Sequence, residues 1–190
     1  MTDSHNYKSL SQELSEILGL AVPPLAITFR NSIPKDIPLY GKQYPAPMPD
    51  GRTGAVSAGC VFWTEAIDRT FATIPEDHGN CSVGCMTHGI NTFEEVARNS
   101  DVASVCEAGW VSPEMMAQIT VVKEKPACIV YGPLSNATDE CSVVLLRLNG
   151  KQQMLLHDAW PGIKFEGKPQ CHIIAVAKEH GEVASAWDAC

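Results

Sequence analysis

The chain has 190 residues, 45% hydrophobic and 19% charged, with Lys+Arg 14 against Asp+Glu 22 and a formal net charge of -8. That length and composition exclude disorder and predict one domain over residues 1–190 with a real core. No apolar run approaches the roughly 18 residues of a membrane span, the N-terminal stretch lacks the apolar core of a leader peptide, and an acidic chain without clustered basic residues does not suit a phosphate backbone, so the expected setting is the cytoplasm, with neither membrane nor nucleic acid as partner.

Leu10, Leu14, Ile17 and Leu18 recur at helical spacing, with Ser9 and Gln12 spaced as a capping box and Gly19 beyond the end, which predicts an amphipathic helix over 9–18. Pro23 and Pro24 stop it, and the apolar, β-branched run Leu25 to Phe29 predicts a strand. From Asn31 to Gly54 prolines and glycines interrupt any periodicity, the composition of a long surface excursion or lid. Ser57 is placed to cap a helix running through Phe62, Trp63, Ala66 and Ile67. Cys60 then falls in the first turn, where unbonded amides and the helix dipole favour a thiolate.

The stretch from His78 to Gly89 holds glycines, cysteines and histidines in a density that reads as a functional loop, not a regular element. Thr92 and Glu95 form a second capping box, and Ser112-Pro113 supplies N-cap and first residue for a helix through Met115, Met116 and Ile119. Lys125 to Tyr131 predicts a strand turned by Gly132-Pro133, Cys141 to Leu148 a third strand, and Asn149-Gly150 a turn. Gln152 to Ala159 then predicts a short helix ended by Trp160-Pro161-Gly162. Interleaved helices and strands argue an α/β or α+β domain with a mixed sheet. The likeness of Pro24 to Phe29 and Pro126 to Tyr131 adds a faint duplication, two pseudo-repeated lobes over 20–100 and 122–190 of one domain.

Eight cysteines in 190 residues fall below the ~8–10% of a disulfide scaffold. In a reducing compartment they read as metal ligands, redox thiols or small packed side chains. Cys81, Cys85 and His88 form C-x3-C-x2-H in a loop able to wrap an ion, and Cys60 upstream completes a set. Thiolate and imidazole are the soft ligands that iron–sulfur clusters and Zn²⁺ select. The competing readings are unliganded reactive thiols, or small residues packed under a turn with His88 at the surface. Cys106, Cys128 and Cys141 have apolar or strand surroundings and read as packing. His157 and Asp158 are adjacent on a helix and diverge, so they read as structural, as do His78 and His172. Phosphate-binding glycine loops, the H-E-x-x-H zincin motif and the G-x-S-x-G elbow do not occur.

The order LGLAVPPLAITF, then Cys60 with VFWTEA, then Asn80-Cys81-Ser82-Val83-Gly84, then Gly132-Pro133-Leu134, then SVVLLRLNGKQQMLLHDA, then Gln170-Cys171 resembles the uncharacterised family called domain of unknown function 169, common in archaea and anaerobic bacteria. The resemblance covers nearly the whole chain and implies a recurring thiol set of Cys60, Cys81, Cys171 and Cys190, with Gln153 also in the pattern. Ala189 stands where the pattern has glycine before the last cysteine, and the arginine-containing segment does not follow. Cys85 and His88 come from the spacing alone.

The expectation is a cytoplasmic iron–sulfur protein, [4Fe–4S] by preference with zinc as the alternative, acting in electron transfer or small-molecule redox chemistry with a redox protein or small molecule as partner. Cys60, Cys81, Cys85 and Cys171 are the cofactor-binding candidates, and His88 is a further ligand or an acid beside a substrate. An open coordination position makes such a protein an enzyme and four protein ligands make it a carrier, and both stay open. The other classes are a binding module without a cluster, whose loops close on a small ligand or a partner, and an enzyme with Cys60 as nucleophile.

Overall fold

The structure is a computed structural model and describes residues 6–41, 59–78, 82–109, 112–116, 121–138, 141–160, 162, 172–177 and 182–187. In chain order the elements are helix α1 (Tyr7–Leu18), strand β1 (Leu25–Arg30), α2 (Gly59–Glu65), β2 (Phe71–Thr73), α3 (Ser82–Thr87), α4 (Phe93–Val96), α5 (Ser100–Glu107), α6 (Pro113–Met116), β3 (Cys128–Pro133), β4 (Val143–Leu145), α7 (Gly150–Ala159), β5 (His172–Ala177) and β6 (Glu182–Trp187). The chain divides into two compact units, the first of 1–41, 61–74 and 127–165 and the second of 42–60, 75–126 and 166–190.

The first unit is built on a four-stranded sheet of order β2-β3-β1-β4, with each of these neighbours paired antiparallel. Of the two expected classes the chain takes α+β. An isolated parallel bridge joins Leu39 to Ala72. The two strands of the suggested duplication, β1 and β3, are sheet neighbours, with Leu25 opposite Pro133 and Arg30 opposite Cys128. Gly132-Pro133 does not turn the strand as expected but completes it. A Cβ at Gly132 would lie 2.4 Å from Thr70 Oγ1, so glycine lets Thr70 close on the strand. Pro133 is the last strand residue, where a missing ladder donor is tolerated.

All of β3 is buried. Around Tyr131 a cluster of aromatic rings fills the core, with centroids 5.3 Å apart for Phe62 and Tyr131, 5.8 Å for Phe71 and Tyr131, and 4.8 Å for Tyr40 and Phe62. Edge-to-face and offset contacts in this range add to the area term. Tyr40 belongs to the excursion, and its N–H donates to the Ala72 carbonyl oxygen at 2.8 Å while its hydroxyl donates to Glu65 Oε1 at 2.8 Å. The described part of the proposed lid is thus tied down, and residues 42–58, with the Ser57 cap, lie outside the described residues. Arg69 pairs with Glu65 and lies over Phe71 at 4.6 Å, covering the cluster with a charged lid that remains partly in water.

The first helix begins earlier than predicted. Asn6, not Ser9, is the cap, accepting from Ser9 N at 3.1 Å, while the Ser9 hydroxyl goes to Glu13 at 2.9 Å. Asn is at least as good a cap as Ser, and starting there brings Tyr7 onto Ala26 and Leu134. Gly19 ends the helix in the left-handed conformation, φ 62, as glycine should. Its last carbonyls receive Gln152 Nε2, at 3.0 Å from Leu18 O and 2.8 Å from Gly19 O. Asn149 is likewise a cap and not a turn. It accepts from Gln152 N while Gln152 returns the bond, opening α7 two residues before the predicted start. The third strand is shorter than Cys141 to Leu148 and forms the exposed edge β4.

The second unit is helical around Met86, Val96 and Val102, with Phe93 and Cys106 packed on them. The expected irregular loop contains a single turn of 3-10 helix, Pro75–His78, and then α3. The Thr92/Glu95 capping box is formed in full and starts α4. Ser112 Oγ accepts from Met115 N at 3.2 Å as an N-cap does, and Ile119 lies outside the described residues. Strands β5 and β6, antiparallel with His172 opposite Trp187, were not predicted. Among the described residues no helix is long and apolar enough to cross a membrane.

Candidate functional site

The second unit places the candidate ligands through short local structure. Pro75 opens the 3-10 turn that ends at His78, and α3 follows from Ser82. Asn99, the residue before α5, donates from Nδ2 to Ser82 Oγ at 2.8 Å and pins the start of α3. At its other end Gly89 turns with φ 70, and Val122 N donates to the Thr87 carbonyl at 2.9 Å. A helix this short does not hold itself in water, so these tertiary bonds and Met86 in the core fix its face.

Cys85 and His88 both lie on the buried side, and His78 joins them. The Cys85 thiol donates to the His78 carbonyl oxygen at 2.8 Å. His88 Nδ1 stands 2.7 Å from the Gly84 carbonyl oxygen and 3.3 Å from Thr87 Oγ1. A carbonyl oxygen only accepts, so Nδ1 carries the proton and the lone pair of the neutral ring is on Nε2. The His78 and His88 rings have centroids 5.6 Å apart, and the residues are 2% and 7% exposed. The reading of His88 as a surface histidine is therefore overturned, because α3 turns it into the unit where an irregular loop would have left it in water. The sequence reasoning set His78 aside as structural and did not place it beside His88. Its one local signal was Pro75, which starts the turn that folds it back, whereas its pairing with His88 comes from the tertiary structure.

Among the other expected ligands, Cys60 is the second residue of α2 and so lies in a first turn as anticipated, its side chain being outside what is described. Cys81 and Cys171, with Cys190, lie outside the described residues. Cys85 and His88 are thus the two members of the expected set that are seen together. Among the described residues no group of three or more His, Cys, Asp or Glu side chains is arranged to hold a metal ion.

The cysteines assigned to packing are placed as such. Cys106 packs against the Met86 cluster and Cys141 against Tyr7, Ala26 and Leu134, both half-buried. Cys128 is fully buried, and burial pushes its thiol pKa up, with Arg30 pulling weakly the other way. His157 Nδ1 and Asp158 Oδ1 are 3.8 Å apart on exposed side chains, a surface contact with little electrostatic weight.

Neither a curated protein nor a solved structure matches the chain. The family model for domain of unknown function 169 (DUF169), described as an uncharacterised ArCR, matches residues 13–183. That span covers most of the 190 residues and includes α3, Cys60, Cys81, Cys85, His88 and Cys171, and the chain belongs to the DUF169 family.

Proposed function

We propose that this protein binds a thiolate-ligated metal centre, an iron–sulfur cluster of the [4Fe–4S] type with Zn²⁺ as the alternative, and uses it in electron transfer or in redox chemistry on a small molecule. Cys60, Cys81, Cys85 and Cys171 are the ligands, the cytoplasm keeps the thiols reduced, and the partner is a redox protein or the small molecule itself.

One observation carries this reading. Cys85, His88 and His78, residues of types that can ligate a metal, are each buried within a short stretch that also contains Cys81 in sequence. A dry shell of this kind is what tunes a metal centre and keeps its sulfurs from solvent. The hydrogen bond from the Cys85 thiol to His78 exists for the protonated sulfur, and a metal would take the place of that proton.

The test is anaerobic purification with iron, zinc and sulfide analysis and a visible spectrum. A brown protein with broad absorption near ~400 nm is expected for thiolate-bound iron. Cys60→Ala should lower the metal content, whereas Cys128→Ala, whose sulfur donates to the Ser32 carbonyl at 3.3 Å, should keep it. A colourless preparation without iron or zinc after loading in cells would overturn the reading.

A further inference from the structure

Helix α7 runs ten residues and buries none of them. A helix that short is marginal in water on its own. It is tied by the Asn149 cap and by the bonds from Gln152 to the last carbonyls of α1. Outside these ties stands an apolar pair, Met154 and Leu155, 68% and 44% exposed. We propose that this face of α7 docks on the same face of a second copy of the chain, the two helices packing antiparallel across a two-fold axis between Met154 and Leu155 in a reversible dimer. The contact belongs to the first unit and is independent of any metal.

The order of residues along the helix selects this occupant. Lys151, Met154, Leu155 and Asp158 follow the i, i+3, i+4, i+7 spacing of one helix face, and all four are exposed. Gln152, which reaches α1, and Leu156 are half-buried and lie round the helix from this stripe, so the contact with α1 leaves it open. Lys151 comes three residues before Met154, and Asp158 three after Leu155. Reversed, the stripe is its own charge complement. Across the two-fold axis Lys151 of each copy meets Asp158 of the other, and Met154 meets Leu155. An isologous contact requires this property, because residue i touching j implies j touching i. A parallel pairing would instead set lysine against lysine and aspartate against aspartate.

Electrostatics and size set the strength. Copies of a chain of net charge -8 repel one another at long range, and a stripe with one charge of each sign adds nothing to that repulsion. Four residues bury less than the ~800 Å² per partner of a stable complex, so the dimer is weak and dissociates on dilution. The competing account is a helix whose apolar side chains stand in water without a partner, as single exposed apolar residues ordinarily do. The two accounts part on self-association.

Sedimentation equilibrium of the full-length protein, kept reduced so that no disulfide joins two chains, should show a reversible monomer–dimer equilibrium between low micromolar and submillimolar concentration. Asp158→Lys sets like charges together at both ends of the contact and should weaken the dimer about tenfold or more, while Lys151→Asp combined with Asp158→Lys should restore it to within about threefold of wild type. Met154→Gln with Leu155→Gln, replacements that suit a helix, should leave the protein monomeric throughout. Gln153→Ala, on another side of α7, should change nothing. Every substituted position is exposed, so the fold is not at stake. A wild-type chain that stays monomeric at every concentration would overturn the proposal. A dimer indifferent to the single charge reversal, or one that the double exchange fails to restore, would overturn it as well, because the antiparallel stripe would not be what holds the copies together.

Discussion

Cys128 begins β3 with its thiol fully buried and donating to the Ser32 carbonyl oxygen at 3.3 Å. Ionisation would strand a charge in the sheet and break that bond, so burial holds the folded pKa above the ordinary thiol value, with the Arg30 guanidinium offsetting part of it. The folded chain therefore keeps a proton that the unfolded chain releases, and stability from this residue is complete below the ordinary thiol pKa and falls as pH rises toward the folded value. Cys128→Ala should cost about 1–2 kcal/mol at neutral pH from the lost packing and hydrogen bond. The gap between wild type and variant should then narrow as the medium passes through the thiol range. Urea titrations of both proteins at neutral and alkaline pH measure it, and a gap that does not move with pH would show that the folded state does not hold the thiol pKa above its ordinary value. Cys85 makes the same type of hydrogen bond, to the His78 carbonyl oxygen at 2.8 Å.

Two left-handed glycines separate backbone conformation from packing. Gly19 has φ 62 with nothing near the position of a Cβ, whereas Gly89 has φ 70 and a Cβ there would stand 2.4 Å from the Val122 carbonyl oxygen. Gly19→Ala should cost only the left-handed penalty of about 1–2 kcal/mol. Gly89→Ala should cost clearly more, because a backbone atom cannot swing aside, and the strain falls on the turn that follows His88. Chemical denaturation of the two variants compares them, and equal losses would mean that residues 121–124 yield freely. The cap of α4 supplies a second test. Glu95 accepts from Thr92 N–H at 2.8 Å, and that bond, followed by the one from Asn91, holds its carboxyl pKa below the usual value. The charged form is the bonded one, so its contribution is present above the ordinary glutamate range and disappears as pH falls through the lowered pKa. Thr92→Ala should cost about 1 kcal/mol at neutral pH and less in acid, where the partner carboxylate is already protonated. An unchanged cost in acid would detach the two halves of the box.

What was legible in the sequence is what short spacing encodes. The Thr92/Glu95 box, the stripe of α1 with Gly19, and the apolar runs of β1 and β3 depend on neighbours within a turn or on alternation, so the chain states them locally. Asn149 was legible as polar punctuation but not as a cap, because Asn-Gly opens both turns and helices and only the Gln152 contact decides. The helix α3 and the strand β2 were not legible, being too short for any period and fixed by partners far along the chain. For the same reason the spacing pointed to Cys85 and His88 but could not pair His88 with His78. The division of the molecule makes a last prediction, because those residues belong to the unit of 75–126 while the sheet belongs to the other. A ligand that binds only the folded state stabilises it by RT ln(1 + [L]/Kd), about 4 kcal/mol at a thousandfold excess over Kd. Zinc loading should therefore raise the transition temperature, and chelation should reverse it. Amide exchange should slow on loading chiefly in Pro75–His78 and α3, whose openings the ion would oppose, with the fully buried β3 already protected in the apo protein. Exchange that slows in β1 and β3 but not over 75–88 would place the bound metal away from the stretch that holds Cys85 and His88, whatever its effect on stability.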